Sequence, residues 1–172
     1  MSDSLLVLEA YLDQEGITHH RDHEGTVIFH LPYGRTSYDC RIRCDGLILV
    51  LTAIWNGVIL ADDAELAECV LVRLSNVGSG SGKTFFNPAQ RALKFETSVD
   101  VSMSTLTPER VRIFLETVLD PFNIKILAME FVLDGQLPAD VAVDIYEEWD
   151  RKRIAALMRP LLEGGGPDPS LN

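Results

Sequence analysis

The chain has 172 residues, 47% of them apolar and 24% charged, and 15 basic residues against 26 acidic ones leave a formal charge of −11. A chain of this length is one domain with room for an added helix, and it buries roughly 70% of its unfolded surface without a metal or disulfide staple. So acidic a surface disfavours nucleic acid and acidic membrane as partners. The sequence opens Met1-Ser2-Asp3-Ser4 with no basic leader, so no secretory signal is expected. Its longest apolar run, Leu47 to Trp55 broken only by Thr52, falls far short of the ~20 residues of a membrane helix. These features predict a cytoplasmic protein, and three cysteines, an odd number, predict reduced, buried thiols rather than a disulfide framework.

Leu5, Leu8 and Leu12 recur at helical spacing and Gly16 closes that first helix. The period then changes to two. Val27, Phe29 and Leu31 alternate, Pro32-Tyr33-Gly34 is expected to turn the chain, and Tyr38, Cys40, Ile42 and Cys44 alternate with Asp39, Arg41 and Arg43. Cys40 and Cys44 share a strand face about 13 Å apart, beyond the reach of a disulfide. Asp45-Gly46 is the expected hairpin loop. The strand that follows, Leu47 to Ile54, is apolar on both faces, which makes it central and requires a cover on each side. Asp62 and Glu65 are spaced like a capping box for a second helix with the stripe Leu66, Cys69, Val70 and Leu74. A Gly/Ser link, Gly78 to Gly82, leads to a short strand near Thr84 to Asn87. In the longer strand after it Leu93, Phe95, Thr97, Val99 and Val101 alternate with polar residues.

Thr107-Pro108-Glu109 opens a third helix with a capping hydroxyl and proline at its first position. Asp120-Pro121 is expected to interrupt it before it continues to Leu133. Ile124, Leu127 and Phe131 lie on one side of its second half, Ile126, Met129 and Leu133 on others, so it should be sandwiched. From Ala139 to Arg159 a last helix carries Glu147–Arg151 and Glu148–Lys152 spacings. Val141, Ile145 and Trp149 mark one side of it and Ile154, Leu157 and Leu161 another, so its halves should touch different surfaces. Pro160 breaks that pattern, and residues 164–172 read as a disordered tail.

Motifs that suggest chemistry are weak. Gly80-Ser81-Gly82-Lys83-Thr84 resembles the end of a phosphate-binding loop, but Val77 stands where its first glycine belongs, and the segment leaves a helix for a strand. His19, His20, His23 and Glu24 crowd together, yet a strand sends His19 and His20 to opposite faces, so a polar turn fits better than a metal site. His20-Arg21-Asp22 lacks the asparagine a kinase loop needs, Val27 standing there. Nothing resembles an activated nucleophile. No catalytic residue, cofactor or metal is expected.

The order of elements, with Leu8, Leu12 and Gly16, the turn Asp22-His23-Glu24-Gly25, the hairpin Asp45-Gly46-Leu47-Ile48-Leu49, Arg73-Leu74-Ser75-Asn76, Thr84-Phe85-Phe86-Asn87 and Leu106-Thr107-Pro108-Glu109, resembles the YbjN family of bacterial domains, described as sensory transduction regulators. The resemblance spans about Leu5 to Leu133. It departs at Val72, where members often carry asparagine, in the Gly/Ser link, and in the helix after Pro138. It implies an α+β fold like that of type III secretion chaperones, an antiparallel sheet with helices in the order α-β-β-β-α-β-β-α, over 1–135. A C-terminal helical extension follows at 136–163. The implied function is a non-enzymatic module that binds proteins, a homodimer with an unidentified protein partner. A genuine secretion chaperone for an effector is the alternative, and a nucleotide-binding enzyme using Gly80–Thr84 the alternative of another class. The expected partner or dimer interface comprises Ile48, Val50, Ile126, Met129, Leu133, Trp149, Ile154 and Leu157.

Overall fold

The computed structural model describes residues 3–77, 82–87, 89–101 and 106–163, with the side chains of 3, 157 and 159–163 left aside. Four α-helices, α1 (Asp3–Gln14), α2 (Ala64–Val77), α3 (Pro108–Leu133) and α4 (Ala139–Glu163), accompany six strands. The strands are β1 (His19–Arg21), β2 (Val27–Tyr33), β3 (Thr36–Asp45), β4 (Ile48–Trp55), β5 (Lys83–Asn87) and β6 (Ala92–Asp100). They form one antiparallel sheet in the order β1-β2-β3-β4-β6-β5. The architecture is the expected α+β fold, with β1 as an additional short edge strand.

Alternation decides which face is covered. Phe29, Cys40, Ala53, Phe95 and Thr84 are register partners across five strands, and the first four of them are buried beneath the helices. The strand β4 is central, between β3 and β6, as its composition requires. Among the described residues no helix lies over its second face. Leu49, Leu51, Ala53 and Trp55 are buried, whereas Val50, Thr52 and Ile54 are half-buried and Ile48 is exposed. The last helix supplies no cover there, because α4 packs on α2 and α3.

Several boundaries differ from the sequence reading. Pro32 and Tyr33 continue β2, paired with Ser37 and Thr36, so the turn falls at Gly34-Arg35. The next hairpin loop is Gly46-Leu47 rather than Asp45-Gly46, because Asp45 pairs with Ile48. Gly46 alone supplies the positive φ, +62°, which is the demand of a glycine-first two-residue turn. At the opening of α2, a 3-10 turn over Ala61–Asp63 replaces the capping box, and its cap Leu60 makes no side-chain bond. The buried stripe of α2 is Ala67, Val70, Leu71 and Leu74, leaving Leu66 and Cys69 exposed. Small Ala67 can lie close to its neighbours where Leu66 could not.

Helix α3 begins as expected, Thr107 Oγ1 accepting from the Arg110 amide at 3.3 Å with Pro108 inside the first turn. It does not break at Pro121. Proline removes one helical amide and costs about 3 kcal/mol in a free helix, but Val118, Leu119, Phe122 and Ile126 on this stretch are all buried, and Phe122 lies against the rings of Tyr38 and Phe95 at 5.5 and 5.0 Å. Tyr33 donates to Asp120 and Tyr38 to Asn123, which fixes α3 on the sheet. The last helix runs past Pro160 to Glu163 as one piece. The expected tail at 164–172 and most of the Gly/Ser link lie outside the described residues.

Candidate functional site

Helices α3 and α4 meet at an angle set by what each buries. Ala142, Val143, Tyr146 and Asp150 of α4 turn inward and join the core. That choice leaves Val141 exposed and sets Ile145 and Trp149 beside Ile124, Leu127 and Phe131 of α3. The result is an open groove of about 290 Å³. Its walls are almost wholly apolar, with Phe131 41% and Ile145 52% exposed. Its apolar walls make it a candidate contact face.

Beneath the groove lies a buried ionic network that the periodicity of the sequence does not reveal. Lys125 of α3 is 7% exposed and Asp150 of α4 is 3% exposed. Asp150 accepts from Arg153 at 2.9 and 3.2 Å, and Lys125 Nζ stands 5.6 Å from the Tyr146 ring centre. Burial pushes the Lys125 ammonium below its ordinary range, while the Asp150 charge pulls the other way. The Tyr146 hydroxyl is buried without a hydrogen-bond partner among the described residues, and burial raises its pKa. Tyr146 stacks on Trp149 at 6.0 Å, and the Arg153 guanidinium lies 5.6 Å from the Trp149 ring centre. Trp149 thus joins the network to the groove wall.

The residues expected at an interface do not form one patch. Ile48 and Val50 lie on the outer face of the sheet, Trp149 lines the groove, and Ile154 is half-buried further along α4. Leu133 is half-buried near Trp55 and Glu130 at the other end of the helix layer. Ile126 and Met129 are wholly enclosed in the core, so neither has surface to offer a partner. The side chain of Leu157 lies outside the described residues. Phe131 and Ile145, the most exposed parts of the groove, were legible only as stripe members of two separate helices.

Other candidate features resolve into structure. His19 bonds the Ile17 carbonyl at 3.2 Å and His20 faces the opposite side of β1. Asp22 accepts from the amides of Glu24 and Thr26 at 2.9 Å, which closes the turn at Gly25 and holds its carboxyl below the usual range. Lys83 and Thr84 begin β5, so this segment enters a strand and supplies no helix N-terminus for a phosphate.

Residues 4–123 match the YbjN family, whose description is "Putative bacterial sensory transduction regulator". No curated protein matches. Among solved structures, YbjN from E. coli, described as "a putative transcription regulator", is 20% identical, with 78% of this chain and 96% of that one covered and a TM-score of 0.48. An uncharacterized protein from Methanothermobacter thermautotrophicus is 9% identical, with 78% and 99% covered and a TM-score of 0.50, a likeness of fold. Groove and ionic network both draw on α4, beyond the matched residues.

Proposed function

This chain belongs to the YbjN family, and from that premise we propose that it is a non-enzymatic regulatory module that acts by binding protein, and that it does so as a homodimer paired through the α3/α4 groove. The observation that carries the reading is the groove itself, an apolar surface left open on an otherwise strongly acidic chain. Two copies, each of charge −11, repel one another over most of their surface. Beside the groove that repulsion is cancelled locally. Glu147 pairs with Arg151, Glu148 with Lys152 and Asp150 with Arg153, at 3.1, 2.7 and 2.9 Å. A second copy can therefore lay its own Phe131 and Ile145 there at little electrostatic cost. No helix among the described residues is long and apolar enough to cross a membrane.

Light scattering on the purified chain tests the reading. The wild type should weigh twice 19.1 kDa at micromolar concentration, and Ile145→Glu should reduce it to a single chain with an unchanged circular dichroism spectrum. A monomeric wild type would end the homodimer proposal.

A further inference from the structure

The middle of the sheet's outer face, opposite the helices, gathers cations in an otherwise acidic chain. Arg41, Thr52, Glu96 and Lys83 stand side by side across β3, β4, β6 and β5, and Arg43, Val50 and Ser98 form the neighbouring row. At ~4.8 Å per strand and ~3.4 Å per residue, Arg41 to Lys83 spans about 14 Å and Arg41 to Arg43 about 7 Å. Lys94 lies in the next row and pairs with Glu96 at 2.9 Å. Four cations thus surround one carboxylate, in a chain where acids outnumber bases by 26 to 15. Among the described residues, no carboxylate comes within ion-pair distance of Arg41, Arg43 or Lys83. Glu96 responds to this setting, its carboxyl held below the usual range by the Lys94 hydrogen bond, with Arg43 and Lys83 adding to it.

The same face is partly apolar. Val50 and Ile54 are half-buried, Phe85 is 44% exposed, and Arg43, Val50, Lys83, Glu96 and Ser98 enclose a shallow depression of about 500 Å³. Acids fringe the patch at both ends, Asp45 and Asp100 flanking Ile48 at one and Asp39 beside His30 at the other. The cationic area is therefore short. A nucleic-acid duplex, with a charge every ~1.7 Å, would run beyond it onto those acids.

We propose that this face docks an acidic segment of a partner protein, Arg41, Arg43 and Lys83 taking its carboxylates while Val50, Ile54 and Phe85 take its apolar side chains. The proposal rests on the protein-binding reading above but not on the dimer. It gives that reading a kind of partner, a short amphipathic segment whose few acids are bunched together. Such a contact is steered by charge, so it weakens with salt.

The test is a fluorescence-anisotropy titration with a short fluorescein-labelled peptide of three adjacent glutamates flanked by leucines. Wild type should bind it saturably, and Arg43→Glu with Lys83→Glu should weaken binding by about tenfold or more. A leucine–lysine peptide should not compete. Should that double variant melt early, Arg43→Gln with Lys83→Gln should still weaken binding. Amide shifts on titration should concentrate in β3, β4, β5 and β6. Binding that ignores these substitutions, or shifts that map to the α3/α4 groove, would overturn the proposal. So would a single-stranded oligonucleotide that binds this face as tightly as the peptide. Peptide binding retained by the Ile145→Glu chain would separate this surface from the groove, whereas a dimer that ignores the peptide would defeat this inference alone.

Discussion

Substituting Asp150 by alanine tests how firmly α4 belongs to the domain. Asp150 is 3% exposed, and the Lys125 ammonium that it faces is 7% exposed. Removing the acid leaves a lysine in the core with burial unopposed, since Asp150 is the one charge that counters its desolvation. It also breaks the pair of Asp150 with Arg153, and breaking a buried pair from one side costs about 3–5 kcal/mol. For a chain of this size each kcal/mol moves the melting point by about 2–4 °C, so Asp150→Ala should melt about 6–20 °C early. The reverse substitution should behave differently. Lys125→Met keeps the packing against Tyr146 and leaves Asp150 its bonds to Arg153, so its stability should stay within about 1.5 kcal/mol of wild type. Adding Lys125→Met to Asp150→Ala should restore part of the loss, the share due to the unopposed lysine. Thermal melts by circular dichroism read all three. If Asp150→Ala melts with the wild type, or the double variant is no better than the single, the pair does not hold α4 in place.

Two further outcomes follow from burial. Because the folded state holds the Lys125 ammonium below its ordinary pKa, the unfolded chain binds more protons in the interval between the two values. Wild-type stability should therefore rise relative to Lys125→Met as pH climbs toward ordinary lysine titration, and parallel urea titrations from neutral to alkaline pH that stay equidistant would contradict this. The cysteines should separate by accessibility, since burial pushes the Cys40 thiol up to about 12 while Cys69 is exposed. Iodoacetamide followed by mass mapping should label Cys69 in the native protein and Cys40 only in denaturant, and early Cys40 labelling would count against the packing of β3 under the helices.

The strands were the most readable part of the fold. Period-two alternation over Tyr38 to Cys44 and Leu93 to Val99 names the covered face directly, because each side chain has only two directions to take. Helix phase was harder to read. Choosing Val141, Ile145 and Trp149 as the buried stripe of α4 selects its most hydrophobic line, but the helix buries Ala142, Val143, Tyr146 and Asp150. A buried aspartate bonded to Arg153 and near a buried lysine of another helix looks like surface in a one-chain pattern, so the true stripe is disguised by a charge. The same substitution of roles left the more apolar line as the open groove. Pro121 misled for a related reason, since local propensity predicts a break and the rings around Phe122 override it. The cationic patch needs register to be seen. Arg41 and Lys83 are far apart in sequence and meet only through the order β3-β4-β6-β5.

Whether two copies close the groove between them is best read from Trp149 itself. In a Trp55→Phe background it is the only tryptophan left, and it stands in the groove wall. On dilution from micromolar to nanomolar protein its emission should shift to the red and its quenching by acrylamide should rise, while circular dichroism stays constant. Emission and quenching that remain flat across the dilution, in a chain that scatters light as a single copy throughout, would show that the groove stays open to water.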